Sequence, residues 1–150
     1  MWRPIANADV LEEFTPIEQQ VLNNIQGGTN NLAKIISDVV GEAYGAIIAG
    51  GNQVDAGGAN VPDQLRQGII AACVWNWVKS IGQAKTMQTD ARRQAAKDAQ
   101  ARLDQVSVGK IKIEIPANPS TTARAPVGAA TTVRPGIRVN REQFGKFGET

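Results

Sequence analysis

Apolar side chains recur at three- and four-residue intervals through most of the chain up to Val106, then switch to every second position over Ile111, Ile113 and Ile115. The first regime predicts amphipathic helices, the second a short strand. The densest apolar stretch lies in VPDQLRQGIIAACVWNWVKSIG, where only Asn76 is polar between Ile69 and Val78. Pro62 and Asp63 suit a helix start, since proline lacks an N–H that a first turn leaves unpaired and aspartate complements the positive helix end. A helix over 62–81 that is apolar nearly all round must be covered on several sides. With Asp63, Arg66 and Lys79 at its flanks it falls short of the roughly 20 apolar residues a bilayer requires, so no membrane span is expected. Ile69, Cys73, Trp77 and Val78 are its predicted core.

The other helices read as a layer around it. Asn7 or Asp9 caps a short helix running to Phe14. Thr15-Pro16-Ile17-Glu18 is a capping box with proline at the first helical position. It opens a helix whose inner face is predicted as Ile17, Val21, Leu22 and Ile25, ended by Gly27-Gly28. Thr29 to Asn31 supplies the next cap. Leu32, Ile35, Ile36, Val39, Val40, Ala43, Tyr44, Ile47 and Ile48 then form the cleanest helical stripe in the chain. Ser37, Gly41 and Gly45 stand four apart beside it. Each mid-helix glycine costs about 1 kcal/mol against alanine, so their spacing predicts close approach of another helix backbone and marks a candidate subunit-packing stripe. Gly50 to Asn60 is glycine-rich but has neither the P-loop lysine nor the dinucleotide-binding glycine spacing; a mobile surface loop is expected. Gly82 to Gln88 connects to a last helix capped by Thr89 or Asp90. Its predicted buried stripe is Ala91, Ala95, Ala99, Leu103 and Val106. Arg92, Arg93, Lys97 and Arg102 give it a charged face, and Asp98 with Arg102 has the favourable acid-first spacing.

Val108-Gly109-Lys110 breaks that helix ahead of the predicted strand. The strand's mate is either Val133 to Val139, turning through Pro135-Gly136, or a neighbouring subunit. Residues 116–150 are rich in Pro, Ala, Thr, Gly and Arg and hold few large apolar side chains, a composition that cannot support its own core. The expected architecture is mainly α: a small helical bundle around one central apolar helix, with a short β element and a long extended C-terminal arm. The domain division is 1–115 for the helical body and 116–150 for the arm.

Composition sharpens this in three ways. The single cysteine, Cys73, excludes an intrachain disulfide and points to a reducing, cytoplasmic site of synthesis. Its place in the apolar helix marks it as a core residue. No apolar run of signal-peptide length occurs in Met1 to Asp9, so export is not expected. The absence of histidine removes the usual general base, a common metal ligand and every Ser-His or Cys-His pairing. No catalytic, metal or cofactor motif is visible, and a non-enzyme is expected. The net charge of +2 divides unevenly: residues 1–60 carry 2 basic and 7 acidic side chains, 61–115 carry 9 and 5, and 116–150 carry 5 and 2. An acidic first part and a basic remainder suit contact with other copies, or a neighbour, through unlike faces. Trp2, near the start of an extended segment, is expected to dock on the helical body or on a neighbour. In the arm, Phe144 and Phe147 are candidate anchors for shallow apolar pockets, Arg134, Arg138 and Arg141 candidate partners for acidic rims, and Ile137 with Val139 a candidate added strand.

The order of elements resembles the head-to-tail connector, or adaptor, proteins of tailed bacteriophages, including Mu-like phages. The resemblance is carried by Asp9-Val10-Leu11 through Phe14; by Ile36-Ser37-Asp38-Val39 through Glu42, Tyr44 and Ile48; by Pro62 opening a helix with Leu65 and the apolar run; and by Thr89 through Arg92 and Ala96 to Leu103, Val106 and Gly109. It spans about residues 5–115 and is one of pattern and order. The glycine-rich loop, Trp75, Trp77 and the arm have no counterpart in it. The resemblance implies a structural virion protein that forms a ring, typically dodecameric, between the portal and the next neck or tail protein. Such a ring extends the channel through which double-stranded DNA passes without sequence readout, uses no cofactor, and is located in the virion neck after synthesis in the host cytoplasm. The alternative is a nucleic-acid-binding module that lays the basic helix 89–106 along phosphates, with affinity falling steeply with salt.

Overall fold

The computed structural model describes residues 1–25 and 31–120. Among these, the chain is mainly helical. Strand β1 (Trp2–Pro4) leads into α1 (Asn7–Leu11) and α2 (Pro16–Asn24); α3 (Leu32–Ala49) is followed by β2 (Asn60–Pro62), α4 (Asp63–Ser80), a 3-10 turn (Lys85–Met87) and α5 (Asp90–Ser107). The central helix forms where the apolar run predicts. Leu65, Ile69, Ile70, Cys73, Val74, Trp77 and Val78 of α4 are buried, with α3, α5 and α1 packed around them. Trp77 is fully buried and meets the Phe14 ring edge-on at 5.4 Å and 87°.

Two of the predicted caps form, at Thr15 and Thr89; the N-cap of α1 is Ala6 rather than Asn7 or Asp9, and Asn31 at the N-cap of α3 makes no side-chain cap bond. Thr15 Oγ1 accepts from Glu18 N at 3.3 Å, and Glu18 Oε2 accepts from Thr15 N at 2.9 Å, closing a capping box over Pro16. At α1 Asp9 supplies only the return half of such a box, accepting from Ala6 N at 2.7 Å. Thr89 caps α5 by accepting from Arg92 N. Gly109, at φ +74°, turns the chain out of α5, with Gly109 N bonded to Val106 O and Lys110 N to Gln105 O. That left-handed geometry satisfies the helix's last carbonyls and favours glycine. The expected end of α2 at Gly27-Gly28, and Thr29 as a cap, lie outside the described residues.

The β element is not where alternation placed it. β1 pairs antiparallel with β2, Trp2 opposite Pro62 and Pro4 opposite Asn60. Residues 111–115 run without strand pairing among the described residues. Side chains replace the ladder: Asn52 Oδ1 accepts from Ile113 N at 3.2 Å, and Trp2 Nε1 donates to Glu114 O at 2.9 Å. Ile113 is buried, Ile111 is half-buried and Ile115 is 73% exposed, so the alternation is spent against the bundle rather than a sheet. The proposed mate at 133–139 lies outside the described residues.

The glycine-rich stretch is likewise fastened rather than free. Val54 and Asp55 are buried. Asp55 Oδ2 accepts from Gly57 N and from Asn60 Nδ2, while Tyr44 Oη donates to Asn60 O at 2.6 Å. On its other side Ala56 N donates to Asn118 O and Ser120 N to Val54 O, with a single bridge between Asp55 and Pro119. Pro116 is buried too. The packed body thus continues past 115 to at least Ser120, beyond the domain boundary expected from composition.

Candidate interaction surface

The four basic residues predicted to form one face of α5 divide into two kinds. Arg92 points into the bundle. Its guanidinium sits 4.6 Å above the Phe14 ring, bonds both carboxylate oxygens of Glu18 at 2.9 and 3.1 Å, and donates to Met87 O at 3.0 Å. The Glu18 carboxyl is held down to about 2, first by the Arg92 guanidinium, with further lowering by the Thr15 N–H. The inner stripe of α5 is therefore Arg92, Ala96, Ala99, Leu103 and Val106, with Ala91 and Ala95 exposed. This corrects the all-alanine opening of the stripe. Arg93 pairs with Asp90 at 3.0 Å and lies 6.0 Å from the Trp75 ring. Lys97 and Arg102 are exposed. Asp98 accepts from Gln94 at 2.8 Å rather than engaging Arg102 as its spacing suggested.

The same inward turn of Glu18 sets the rotation of α2. Glu18, Leu22 and Ile25 occupy the inner side, which turns their neighbours Ile17 and Val21 outward, 76% and 43% exposed. Two of the four residues assigned to the core face of α2 are thus a surface ridge. Gln19 Nε2 holds the helix from below, donating to Leu11 O at 2.8 Å and to Phe14 O at 3.1 Å.

Long-range ion pairs join the acidic and basic regions within the chain. Besides Glu18 with Arg92, Asp9 pairs with Arg66 at 2.8 Å, and the Ala6 N–H followed by Arg66 holds the Asp9 carboxyl below the usual carboxylate range. Part of the charge asymmetry that pointed to unlike faces between copies is thereby satisfied inside one copy. Trp2, a candidate partner-binding residue, also docks on its own body: it stacks edge-on with Tyr44 at 6.3 Å and bonds Glu114.

Ser37, Gly41 and Gly45 are exposed. A Cβ at either glycine would meet nothing within 4 Å, so among the described residues no helix approaches the stripe closely. Close backbone approach occurs elsewhere. A Cβ at Gly68 would lie 3.3 Å from Ala99 Cβ, where α4 crosses α5, and one at Gly50 would lie 1.9 Å from the Val106 carbonyl oxygen. Opposite responses to alanine follow. Gly50→Ala is expected to cost about 1–3 kcal/mol through overpacking against backbone, and Gly41→Ala to gain up to about 1 kcal/mol of helix propensity. Urea unfolding of the two variants separates them by the sign of the midpoint shift.

Between α3, α4 and α5 lies an open groove of about 210 Å³. Val39, Ala72, Trp75 and Leu103 line its apolar part, and Glu42, Arg93 and Lys97 stand among its polar residues. Trp75, in the apolar run of α4 but outside its predicted core, is half-buried here. Cys73 on the same helix is fully buried, and burial pushes its thiol up to about 12, far from reactive range. Among the described residues no helix is long and apolar enough to cross a membrane, and no group of three or more His, Cys, Asp or Glu is placed to hold a metal ion. The arm candidates Arg134, Ile137, Arg138, Val139, Arg141, Phe144 and Phe147 lie outside the described residues. No family model, curated protein or solved structure matches the chain.

Proposed function

We propose that the chain is a structural virion protein, a head-to-tail connector whose copies form a ring between the portal and the next neck or tail component. The observation that carries this reading is a helical body packed around α4 that leaves apolar surface uncovered among the described residues: Ile17 at 76% exposure on a firmly capped helix, and an open, partly apolar groove beside Trp75. The element order that resembles connector proteins supplies the identity of the assembly; a dodecamer is the number it implies. In this reading Ser37, Gly41 and Gly45 are free to receive a neighbouring subunit, and the arm from Arg134 to Phe147 reaches the portal or tail partner. Double-stranded DNA passes through the ring without sequence readout.

The alternative, phosphate contact along α5, draws less support. Arg92 is committed to Glu18 and Phe14, and Arg93 is paired with Asp90. Free subunits are therefore expected to bind duplex DNA weakly, without sequence preference and less as salt rises. Mass measurement and imaging of the protein alone and beside portal and neck components test the assembly. Closed rings are the expected result. A monomer under every condition, or tight sequence-specific binding in a shift assay, would displace this reading.

A further inference from the structure

The ridge on α2 projects apolar side chains, the groove between α3, α4 and α5 is a recess with apolar lining, and the two differ in charge. The ridge offers two aliphatic side chains one turn apart, Ile17 and Val21, both exposed. The groove, open and about 210 Å³, is lined by Val39, Ala72, the half-buried Trp75 and Leu103 together with polar side chains. Charge runs in opposite senses at the two places. No basic residue occurs between Arg3 and Lys34, so the helices around the ridge carry only acids. Asp9 and Glu18 are spent on Arg66 and Arg92, which leaves Glu12 and Glu13 exposed just ahead of Ile17, Glu13 accepting from Gln67 Nε2 at 3.1 Å. The groove carries Lys97, exposed, and Arg93, exposed and already paired with Asp90 at 3.0 Å. Glu42 is the one acid in its lining, and the ridge has amides to meet it, since Gln20 and Asn24 follow Ile17 by three and seven positions and share its side of the helix.

Resting on the ring reading above, we infer that the subunit contact is heterologous, with the Ile17–Val21 ridge of one copy seated in the Trp75 groove of the next. Two different patches meeting head to tail generate a ring when the rotation closes, whereas a self-complementary patch would stop at a dimer. Glu12 and Glu13 of one copy face Arg93 and Lys97 of its neighbour and set the orientation; the apolar side chains and Trp75 supply the anchor.

Two variants test it, each altering exposed positions. I17D/V21D spoils the ridge and keeps the groove; R93E/K97E spoils the groove and keeps the ridge. Circular dichroism and thermal midpoints near wild type confirm that both fold. Each alone is expected to lose self-association by about 30-fold or more, the scale of an interface hot spot. Mixed one to one, they should form a heterodimer that grows no further, because each pair retains one intact ridge and one intact groove. If wild type forms rings and both variants do so equally well, the contact is wrong while the ring reading stands. A mixture that stays monomeric also overturns the contact, since it points to a self-complementary patch. Monomeric wild type at every concentration, with and without the portal, removes both.

Discussion

Replacing Trp77 with alanine is expected to cost about 3–5 kcal/mol of folding stability, the range for large aromatic deletions in a core. The side chain is fully buried in the last turn of α4 and closes edge-on against Phe14. Phe14 in turn lies beneath the Arg92 guanidinium. Truncation therefore opens a cavity where the central helix, the α1–α2 turn and the start of α5 converge. Urea unfolding measures the loss. A change below about 1 kcal/mol, the size of an ordinary surface substitution, would show that the surroundings collapse into the space and that Trp77 is no keystone.

The second large effect is expected at Arg92. Arg92→Ala strips Glu18 of its charge partner and Phe14 of its covering cation while leaving the Thr15 bonds intact. Breaking a fully buried pair costs about 3–5 kcal/mol. Glu18 keeps 24% of its side chain in contact with solvent, so screening lowers the expectation to about 2 kcal/mol. Acid provides the companion measurement. The Glu18 carboxyl stands at about 2 in the folded chain against 4.5 as its ordinary value, so the unfolded chain takes up its proton first. The pair's contribution is complete above about pH 5 and fades as pH falls through about 2. Asp9, lowered by the Ala6 N–H and then Arg66, acts in the same direction. Stability of the wild type should thus decline over that window, and the Arg92→Ala curve should be flatter. Parallel curves would assign the acid sensitivity to other carboxylates.

What could be read from the chain, and what could not, divides along sequence distance. Signals held within a turn or two came through: the Thr15–Glu18 box, the inner face of α3 from Leu32 to Ile47 (though Ile48, assigned to the same stripe, is 42% exposed), the apolar α4, and the break at Gly109. Signals completed by a remote residue did not. Arg92 was read as surface because arginine is charged, yet its partner Glu18 lies 74 positions earlier and draws it inward. The same bond rotates α2 and exposes Ile17 and Val21, which hydrophobicity alone had placed inside. β1 and β2 are three residues each, too short to show alternation. Ile111 to Ile115 alternates convincingly, but Asn52 and Trp2 satisfy its backbone in place of a strand. The groove was invisible for a related reason: Trp75, Val39 and Leu103 come from three helices, and only packing brings them to one trough.

Cys73, described above as an inert core thiol, is by the same token a built-in reporter. It is the chain's one cysteine, it is fully shielded, and burial holds its proton on until about 12. A thiol reagent can modify it only when α4 comes away from its neighbours, so the labelling rate under native conditions counts openings of the core directly. No engineered probe is needed. With reclosing fast, the rate scales with the opening equilibrium, and a loss of 3–5 kcal/mol at Trp77 should accelerate labelling by roughly two to three and a half powers of ten. A substitution that disturbs only the ridge or the groove rim should leave that clock unchanged.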